Sequence, residues 1–429
     1  MRLTKPEEES ELLAALSRAY AQSPFWRDRF DSLGLSSADF VPGFPFEQLP
    51  LLGKADLLAD QAGHKPLGHL LAVRPEDIRR IHKTSGTSAS PFFIALTQRD
   101  IADTHTSAIR AFKAAGMGPG DRVVHCLNFN MWSGGVSDYL PIEMVGAAGV
   151  PFGVGNTALL LDTIRTLGIN AISSTPSYMY ALRDRCRSEL GIAPSELGLK
   201  RGYFGGEGLL QVPGVREDIE REFGLKAMDA NYGMSEVLSV IAGEDGRRDG
   251  LVYHAWGIVY AELVDGAGTP LPIEAGARGE LVFSSLRREG QPLFRYRTND
   301  LAEILWAETA DDGLLRMRFR IIGRSDEMLV LRGVNFFPQA LQSIIPAFEP
   351  AVGRAYRVVR PKEGEVGALD VLFETDLPPG PERDRLADAI KAKVSATFQV
   401  RIDVSWLPAG RISRETNKAR YLIRDRDEI

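Results

Sequence analysis

Apolar residues near the start of the chain recur at three- and four-residue spacing. Leu12, Leu13, Leu16 and Tyr20 line one side of a predicted helix. A stretch punctuated by proline and glycine, from Val41-Pro42-Gly43 to Pro50, predicts loop. From about residue 100 the pattern alternates. Ile101 to Ala115 predicts a helix stopped by Gly116 and Gly118-Pro119-Gly120, and Arg122 to Leu127 a short buried strand. Leu159 to Leu167 predicts a helix closed by Gly168, and Ala171-Ile172-Ser173 the next strand. Pro176 opens another helix at the first-turn position, where its missing N–H costs least. Strands alternating with helices of this length predict stacked α/β layers.

After about residue 250 the texture becomes β-rich with glycine turns. Ile258 to Val264, then Gly266-Ala267-Gly268, and Glu280 to Phe283 belong to it. A third texture starts near Gly323. Tyr356 to Val359 and Leu369 to Glu374 predict strands, and Pro378-Pro379-Gly380-Pro381 precedes a helix with Leu386, Ile390, Val394 and Phe398 on one face. Val400 to Leu407 predicts a closing strand. The chain reads as an α/β protein: a large N-terminal domain over residues 1–324, and a small α+β C-terminal domain over residues 325–429.

With 44% hydrophobic and 25% charged residues among 429, the composition excludes a disordered or fibrous chain. The 51 basic and 57 acidic residues leave a formal charge of −6, which gives no overall pull toward nucleic acid or anionic membrane. Cys126 and Cys186 lie too far apart for a C-x-x-C site. His64, His69, His82, His105, His125 and His254 show no HExxH or other ligand spacing, so no structural zinc is expected. The acidic N-terminal stretch lacks the apolar core of a signal peptide, and no apolar run spans a bilayer. A cytoplasmic location is expected.

Five short motifs offer chemistry. In Thr84-Ser85-Gly86-Thr87-Ser88-Ala89-Ser90-Pro91, five hydroxyl side chains surround one glycine, a composition that suits phosphate oxygens and also a plain surface turn. In Asn231-Tyr232-Gly233-Met234-Ser235-Glu236, a ring beside a glycine can stack on a purine, and the carboxylate can hold Mg²⁺. Asp300, ending Arg295-Tyr296-Arg297-Thr298-Asn299-Asp300, can accept ribose hydroxyls. Gly323-Arg324-Ser325-Asp326-Glu327 falls at the change of texture, and Asn417-Lys418-Ala419-Arg420 lies in a basic tail.

In this order and spacing the set resembles the adenylate-forming superfamily. Ser23-Pro24-Phe25-Trp26-Arg27, Leu49 to Leu57, Phe204-Gly205-Gly206-Glu207 and Arg332 to Pro338 narrow the resemblance to its phenylacetate–CoA ligase branch. The resemblance implies an ATP-dependent, AMP-forming ligase that activates an aromatic or arylalkanoic acid as an acyl adenylate and transfers it to CoA. Thr84, Ser85, Gly86, Thr87 and Ser88 would wrap the β- and γ-phosphates. Gly205, Gly206 and Glu207 would line the adenine pocket beside Asn231 and Gly233, with Tyr232 on the base. Ser235 and Glu236 would meet the α-phosphate and Mg²⁺, Asp300 the ribose, and Arg324 the ribose or phosphate. Asp326 would be the hinge of a mobile C-terminal domain, and Lys418 would reach the reacting carboxylate and α-phosphate.

The chemistry needs these types, because two anions must meet while charge moves onto pyrophosphate. Phe129, Met131, Trp132, Gly134, Gly135 and Tyr139 fall where relatives build the acid pocket, a composition that suits a flat acid and also ordinary core packing. Three departures stand out. Ala89-Ser90 replace the Gly-Lys that precedes the family's proline, with Lys83 just upstream; Asn299 and Asn417 replace glycines, and asparagine tolerates positive φ. Alternatives are an aryl-acid adenylating enzyme serving a carrier-protein thiol or another nucleophile, nitrite-type activation included, and a degenerate nucleotide-binding member. A small-molecule acid is the expected partner, and a homodimer is one expectation for assembly. Gly153-Val154-Gly155-Asn156-Thr157-Ala158 fits a dinucleotide fingerprint but lacks the acidic residue about twenty positions on.

Overall fold

The computed structural model describes residues 6–84, 91–331, 334–361, 368–412 and 421–429. Its helices are α1 (Pro6–Gln22), α2 (Pro24–Ser32), α3 (Lys54–Gly63), α4 (Gln98–Ala114), α5 (Ser133–Met144), α6 (Thr157–Thr166), α7 (Pro176–Arg185), α8 (Val215–Phe223) and α9 (Pro381–Phe398). Helix α4 begins three residues before the apolar period does. Thr97 Oγ1 accepts from Asp100 N at 3.2 Å and Asp100 Oδ2 from Thr97 N at 2.9 Å, a reciprocal cap that fixes the start. The periodic pattern does not announce α2, α3, α5 or α8. Helix α5 carries Gly134, Gly135 and Pro141, which erase the amphipathic signal.

Five parallel strands lie side by side in the order Ala148–Pro151, Arg122–His125, Ala171–Ser174, Arg201–Gly205 and Lys226–Met234. Successive residues of these strands face opposite layers. Val123, Ala171, Tyr203 and Met228 join one core with Ala111 and Phe112 of α4 and Ile142 of α5. Val124, Ile172, Phe204 and Ala227 join another with residues of α6, α7 and α8. This alternation is the pleat read out as packing, with both faces covered as a parallel sheet requires.

The α/β and β-rich textures prove to be one sheet. Strand Lys226–Met234 pairs parallel with Arg201–Gly205 on one side and antiparallel with Leu238–Glu244 on the other. The sheet then runs through Leu251–Tyr253, Leu315–Arg324, Tyr296–Thr309, Arg278–Ser285, Val259–Val264 and Pro270–Leu271, twelve strands among the described residues. Gly233 makes the turn beyond the seam feasible, since a Cβ there would stand 2.0 Å from Ser239 O.

The C-terminal domain has its own four-stranded sheet, ordered Ile402–Pro408, Leu369–Thr375, Tyr356–Val359 and Leu422–Ile423. Helix α9 buries Ile390 and Val394 against Tyr356, Val371 and Phe373, while Leu386 and Phe398 pack at the edge. Ion pairs join its entry segment to the large domain. Arg183 meets Glu349 at 2.9 Å, and Arg354 meets Glu349 at 2.8 Å and Asp218, with its guanidinium 4.0 Å from the Tyr180 ring centroid. No helix among the described residues is long and apolar enough to cross a membrane.

Candidate functional site

The carboxyl ends of the parallel strands converge where the sheet changes from parallel to antiparallel, the place where open α/β sheets bind ligands. Ser235 and Glu236 follow directly on the seam strand. Ser235 Oγ lies 2.6 Å from Ser133 Oγ, at the first residue of α5. Glu236 Oε1 accepts from Lys54 Nζ at 2.7 Å and from the Tyr296 hydroxyl at 3.5 Å. Lys54 is the first residue of α3. It stands within a stretch that supports the family resemblance, but nothing local in the sequence pairs it with a carboxylate 182 positions away.

Helix α3 also braces the hairpin that carries Thr84. Gln61 accepts from Phe93 N at 2.8 Å and donates to Phe93 O at 3.1 Å. Phe93 belongs to the hairpin Arg80–Lys83/Phe93–Leu96. Thr84 closes that hairpin: its N–H donates to Phe92 O at 2.9 Å, and its hydroxyl accepts from Phe92 N at 3.3 Å. Ser85, Gly86, Thr87, Ser88, Ala89 and Ser90 lie outside the described residues.

Gly205 and Gly206 end the next strand. A Cβ on Gly205 would come within 2.7 Å of Asn231, and one on Gly206 (φ +80°) within 3.5 Å of the Trp132 ring. Glu207 accepts from Ser177 Oγ at 2.8 Å and Ser177 N at 3.3 Å, in the first turn of α7. Behind this wall, Asn231 Nδ2 donates to Asp138, and Ser239 Oγ donates to the other oxygen of that carboxylate at 2.6 Å. Burial pushes Asp138 up to about 8 against the pull of those two donors. His125, also fully buried, is pushed down to about 4 by burial, opposed by the Gly134 and Gly135 carbonyls. It is therefore neutral at pH 7.

Tyr232, Asp300 and Arg324 form a chain. The Tyr232 hydroxyl donates to Asp300 Oδ2 at 2.8 Å, and Arg324 donates to Asp300 Oδ1 at 2.9 Å. Arg324 also grips both oxygens of Asp326 at 3.0 and 2.9 Å, and Arg360 donates to the Asp326 carbonyl at 2.6 Å. Burial alone would lower the guanidinium's pKa; Asp300 and Asp326 outweigh it and hold the charge. Asn299 sits at φ +61°, the left-handed conformation that asparagine tolerates. Its carbonyl accepts Ser325 N at 2.7 Å, fastening the strand ends together.

The residues expected at the acid pocket divide. Phe129 and Met131 are exposed, whereas Trp132, Gly134 and Gly135 are buried. The Trp132 ring fills the space over Gly134, where a Cβ would meet it at 2.8 Å. Gly135 backs directly onto Asn128 O, and Tyr139 covers Gly149 while its hydroxyl donates to Glu143 at 2.7 Å. Tyr139 is thus engaged in internal packing.

Asn417 and Lys418 lie outside the described residues. The flanking residues are anchored: Ile412 N donates to Glu374 Oε1 at 2.5 Å, and Tyr421 O accepts from Val358 N at 2.7 Å. The Tyr421 phenol is driven well up by burial and next by the Glu207 carboxylate, and its ring stacks on Tyr356 with centroids 5.1 Å apart.

These groups offer an oxygen-rich pocket with a carboxylate, an ammonium and a guanidinium around one sheet seam. The model described as AMP-binding enzyme matches residues 45–286, and that described as AMP-binding enzyme C-terminal domain matches residues 333–426. The phenylacetate-coenzyme A ligase of Escherichia coli strain K12 is 32% identical over 410 residues, covering 94% of this chain and 91% of that protein. Among solved structures, 2-hydroxyisobutyryl-CoA ligase in the postadenylation state with R3-HIB-AMP overlays with TM-score 0.85 at 26% identity, covering 98% of this chain and 89% of its own. The same ligase in the thioesterification state, with 2-HIB-AMP and CoA, overlays with TM-score 0.67 at 27% identity, covering 98% and 90%.

Proposed function

The chain belongs to the AMP-binding enzyme family, and from that membership we propose that it is an AMP-forming acid–CoA ligase acting on an aromatic or arylalkanoic carboxylic acid. The observation that carries the reading is the convergence of Ser235, Glu236, Tyr232, Asp300 and Arg324 on one sheet seam. In the first half-reaction a carboxylate oxygen of the acid attacks the α-phosphorus of ATP. The bond to the β-phosphate oxygen breaks, and pyrophosphate leaves with the electron pair. In the second, the CoA sulfur attacks the acyl carbonyl, AMP departs, and the thiol proton passes to solvent.

On this reading Asp300 accepts the ribose hydroxyls, while Tyr232 and Arg324 hold its carboxylate in orientation. Gly205, Gly206 and Glu207 form the adenine wall with Asn231 and Gly233, and Thr84 to Ser88 contact the polyphosphate. Glu236 would hold Mg²⁺ and Ser235 the α-phosphate. One carboxylate with substrate phosphates is the oxygen donor set that Mg²⁺ takes. When bound, the ion neutralises polyphosphate charge. Lys54 supplies positive charge beside Glu236, in a chain whose hydroxyl-rich motif carries Ala89-Ser90 and no lysine. Lys418 neutralises the charge that develops between the acid and the α-phosphate; it is three peptide bonds from Tyr421, whose phenol feels the Glu207 carboxylate. Asp326 serves as pivot between residues 1–324 and 325–429, and rotation there withdraws Lys418 before the thiol enters. Phe129, Met131, Trp132, Gly134 and Gly135 bound the acid side, and Tyr139, packed edge-on to Phe129, backs them.

A pyrophosphate-release screen over aromatic and short aliphatic acids, with and without CoA, tests the proposal. Acid-dependent pyrophosphate with an acyl-CoA product from an aryl acid is the expected result. Release that makes no thioester with CoA overturns the acceptor, and turnover of aliphatic acids alone overturns the substrate class.

A further inference from the structure

The histidine spacing predicts no ligand set, yet the fold assembles one at the far end of α3 from Lys54. Asp60 in the last turn of that helix, His64 just past its end and His69 in the following loop each offer one ligand atom. All three atoms lie within 4.8 Å of one another. The Asp60 carboxylate is buried and fixed: Oδ1 accepts from His69 N at 3.1 Å and Oδ2 from Leu70 N at 3.0 Å. The loop passes so close that a Cβ on Gly68 (φ +81°) would stand 2.2 Å from Oδ2.

Those backbone bonds account for Asp60, but they do not account for two exposed imidazoles beside it. His64 Nδ1 lies 3.1 Å from Asp60 Oδ1 and 3.2 Å from Asp60 O. Both are acceptors, so Nδ1 carries the proton of the neutral ring. The His64 and His69 rings stack with centroids 3.5 Å apart and planes at 10°.

We propose that Asp60, His64 and His69 bind a divalent transition-metal ion, with Zn²⁺ the best match and water completing its shell. Around tetrahedral zinc, with bonds near 2.0–2.1 Å, adjacent ligand atoms stand about 3.3 Å apart. The 3.1 Å between His64 Nδ1 and Asp60 Oδ1 is close to that edge, with a proton where the metal would sit. Metal binding takes the Nδ1 lone pair, and the ring proton moves to Nε2 through solvent. The exposed His69 ring turns about its side-chain torsions to supply the third ligand. Two imidazoles and one carboxylate suit zinc, nickel or copper and select against the all-oxygen preference of Mg²⁺. The ion would stiffen the helix that bears Lys54 and braces the hairpin through Gln61.

The test is calorimetric titration of the untagged full chain with zinc chloride, at neutral pH and without nucleotide. One ion per chain is expected, with an isotherm that millimolar magnesium leaves in place and a melting temperature that rises with zinc concentration. The His64→Ala/His69→Ala double variant alters two exposed side chains and should melt as the parent does without metal. It should bind about tenfold or more weakly. His64→Gln and His69→Gln, measured singly, should each weaken binding as well. An unchanged isotherm in the double variant, or no zinc uptake by the parent protein, overturns the site.

Discussion

On the large domain, Ser235, Glu236 and Arg324 stand at strand ends of one continuous sheet, and Asp300 lies within the strand paired to Arg324. The C-terminal domain meets the large domain through ion pairs: Arg324 with Asp326, Arg183 with Glu349, and Arg354 with Asp218. Moving a sheet residue means disturbing ladder hydrogen bonds and a close-packed core. An ion pair breaks and re-forms with its partners intact. The difference teaches that one wall is held by a sheet and the other by side-chain pairs, and on the proposed function the first serves position and the second exchange. That fits an enzyme whose two half-reactions need different groups over the same carbonyl, and the 2-hydroxyisobutyryl-CoA ligase structures, to which this chain overlays unequally, represent two such states.

The sharpest way to break this comparison is to remove the group that, on the proposed function, the C-terminal domain delivers. Lys418→Ala should slow acid-dependent pyrophosphate release by about 10²–10³-fold, the scale of losing one charge-stabilising donor. Thioester formation from a supplied acyl adenylate should persist. Equal loss in both half-reactions would place Lys418 in general structure instead.

A smaller effect tests the fixed wall. Lys54→Ala leaves Glu236 without its 2.7 Å partner, and the apparent KM for ATP should rise about ten- to a hundredfold, the range for a charged hydrogen bond. The Mg²⁺ requirement should shift with it, and Lys54→Arg should recover part of the loss. If Lys54→Ala changes only the melting temperature, the pair is structural.

The exchange contact itself comes next. Arg354→Ala removes the buried guanidinium from Asp218, Glu349 and the Tyr180 ring. Adenylation should slow several-fold, and thioester formation from supplied adenylate should hold or quicken as the present domain arrangement loses its lateral tie. Small-angle scattering should show a broader distribution of domain arrangements. A parallel slowing of both steps would mean that the contact supports folding alone.

Much of this was legible because each motif is a contiguous string, and strings such as Tyr232 to Glu236 keep their meaning without a structure. The strand–helix alternation was equally plain where Gly116, Gly168 and Pro176 punctuate it. What stayed hidden were partners far apart in sequence. Lys54 and Glu236, Ser133 and Ser235, and Tyr232 and Asp300 are separated by 182, 102 and 68 positions, and no local periodicity encodes such pairs. The single seam strand was hidden for the same reason: its parallel and antiparallel neighbours look like different folds when read in order. His64 and His69 were read as lacking ligand spacing, because the carboxylate beside them depends on a loop turning back over Gly68. The departure at Asn299 was read correctly from backbone chemistry alone, since asparagine is among the few residues at ease at φ +61°.

The smallest effect probes how rigid the fixed wall is at its back. Asp138 is pushed up to about 8 by burial, above its ordinary value near 3.8. Between those values the folded protein keeps a proton that the unfolded chain has lost, so folding takes up a proton and stability falls as pH rises through that window. One such group contributes a slope of at most about 1.4 kcal/mol per pH unit, vanishing below the lower value and above the upper. Asp138→Asn removes the titration while keeping a polar group for Ser239 and Asn231. Asp229, raised to about 7 by burial and next by Glu244, adds a similar slope, and it cancels when the two proteins are compared. Melting curves from about pH 5 to 8 should therefore decline more gently in Asp138→Asn, with nucleotide affinity little changed. Parallel curves would mean that Asp138 keeps its charge in the folded state, and that the wall behind Asn231 admits water.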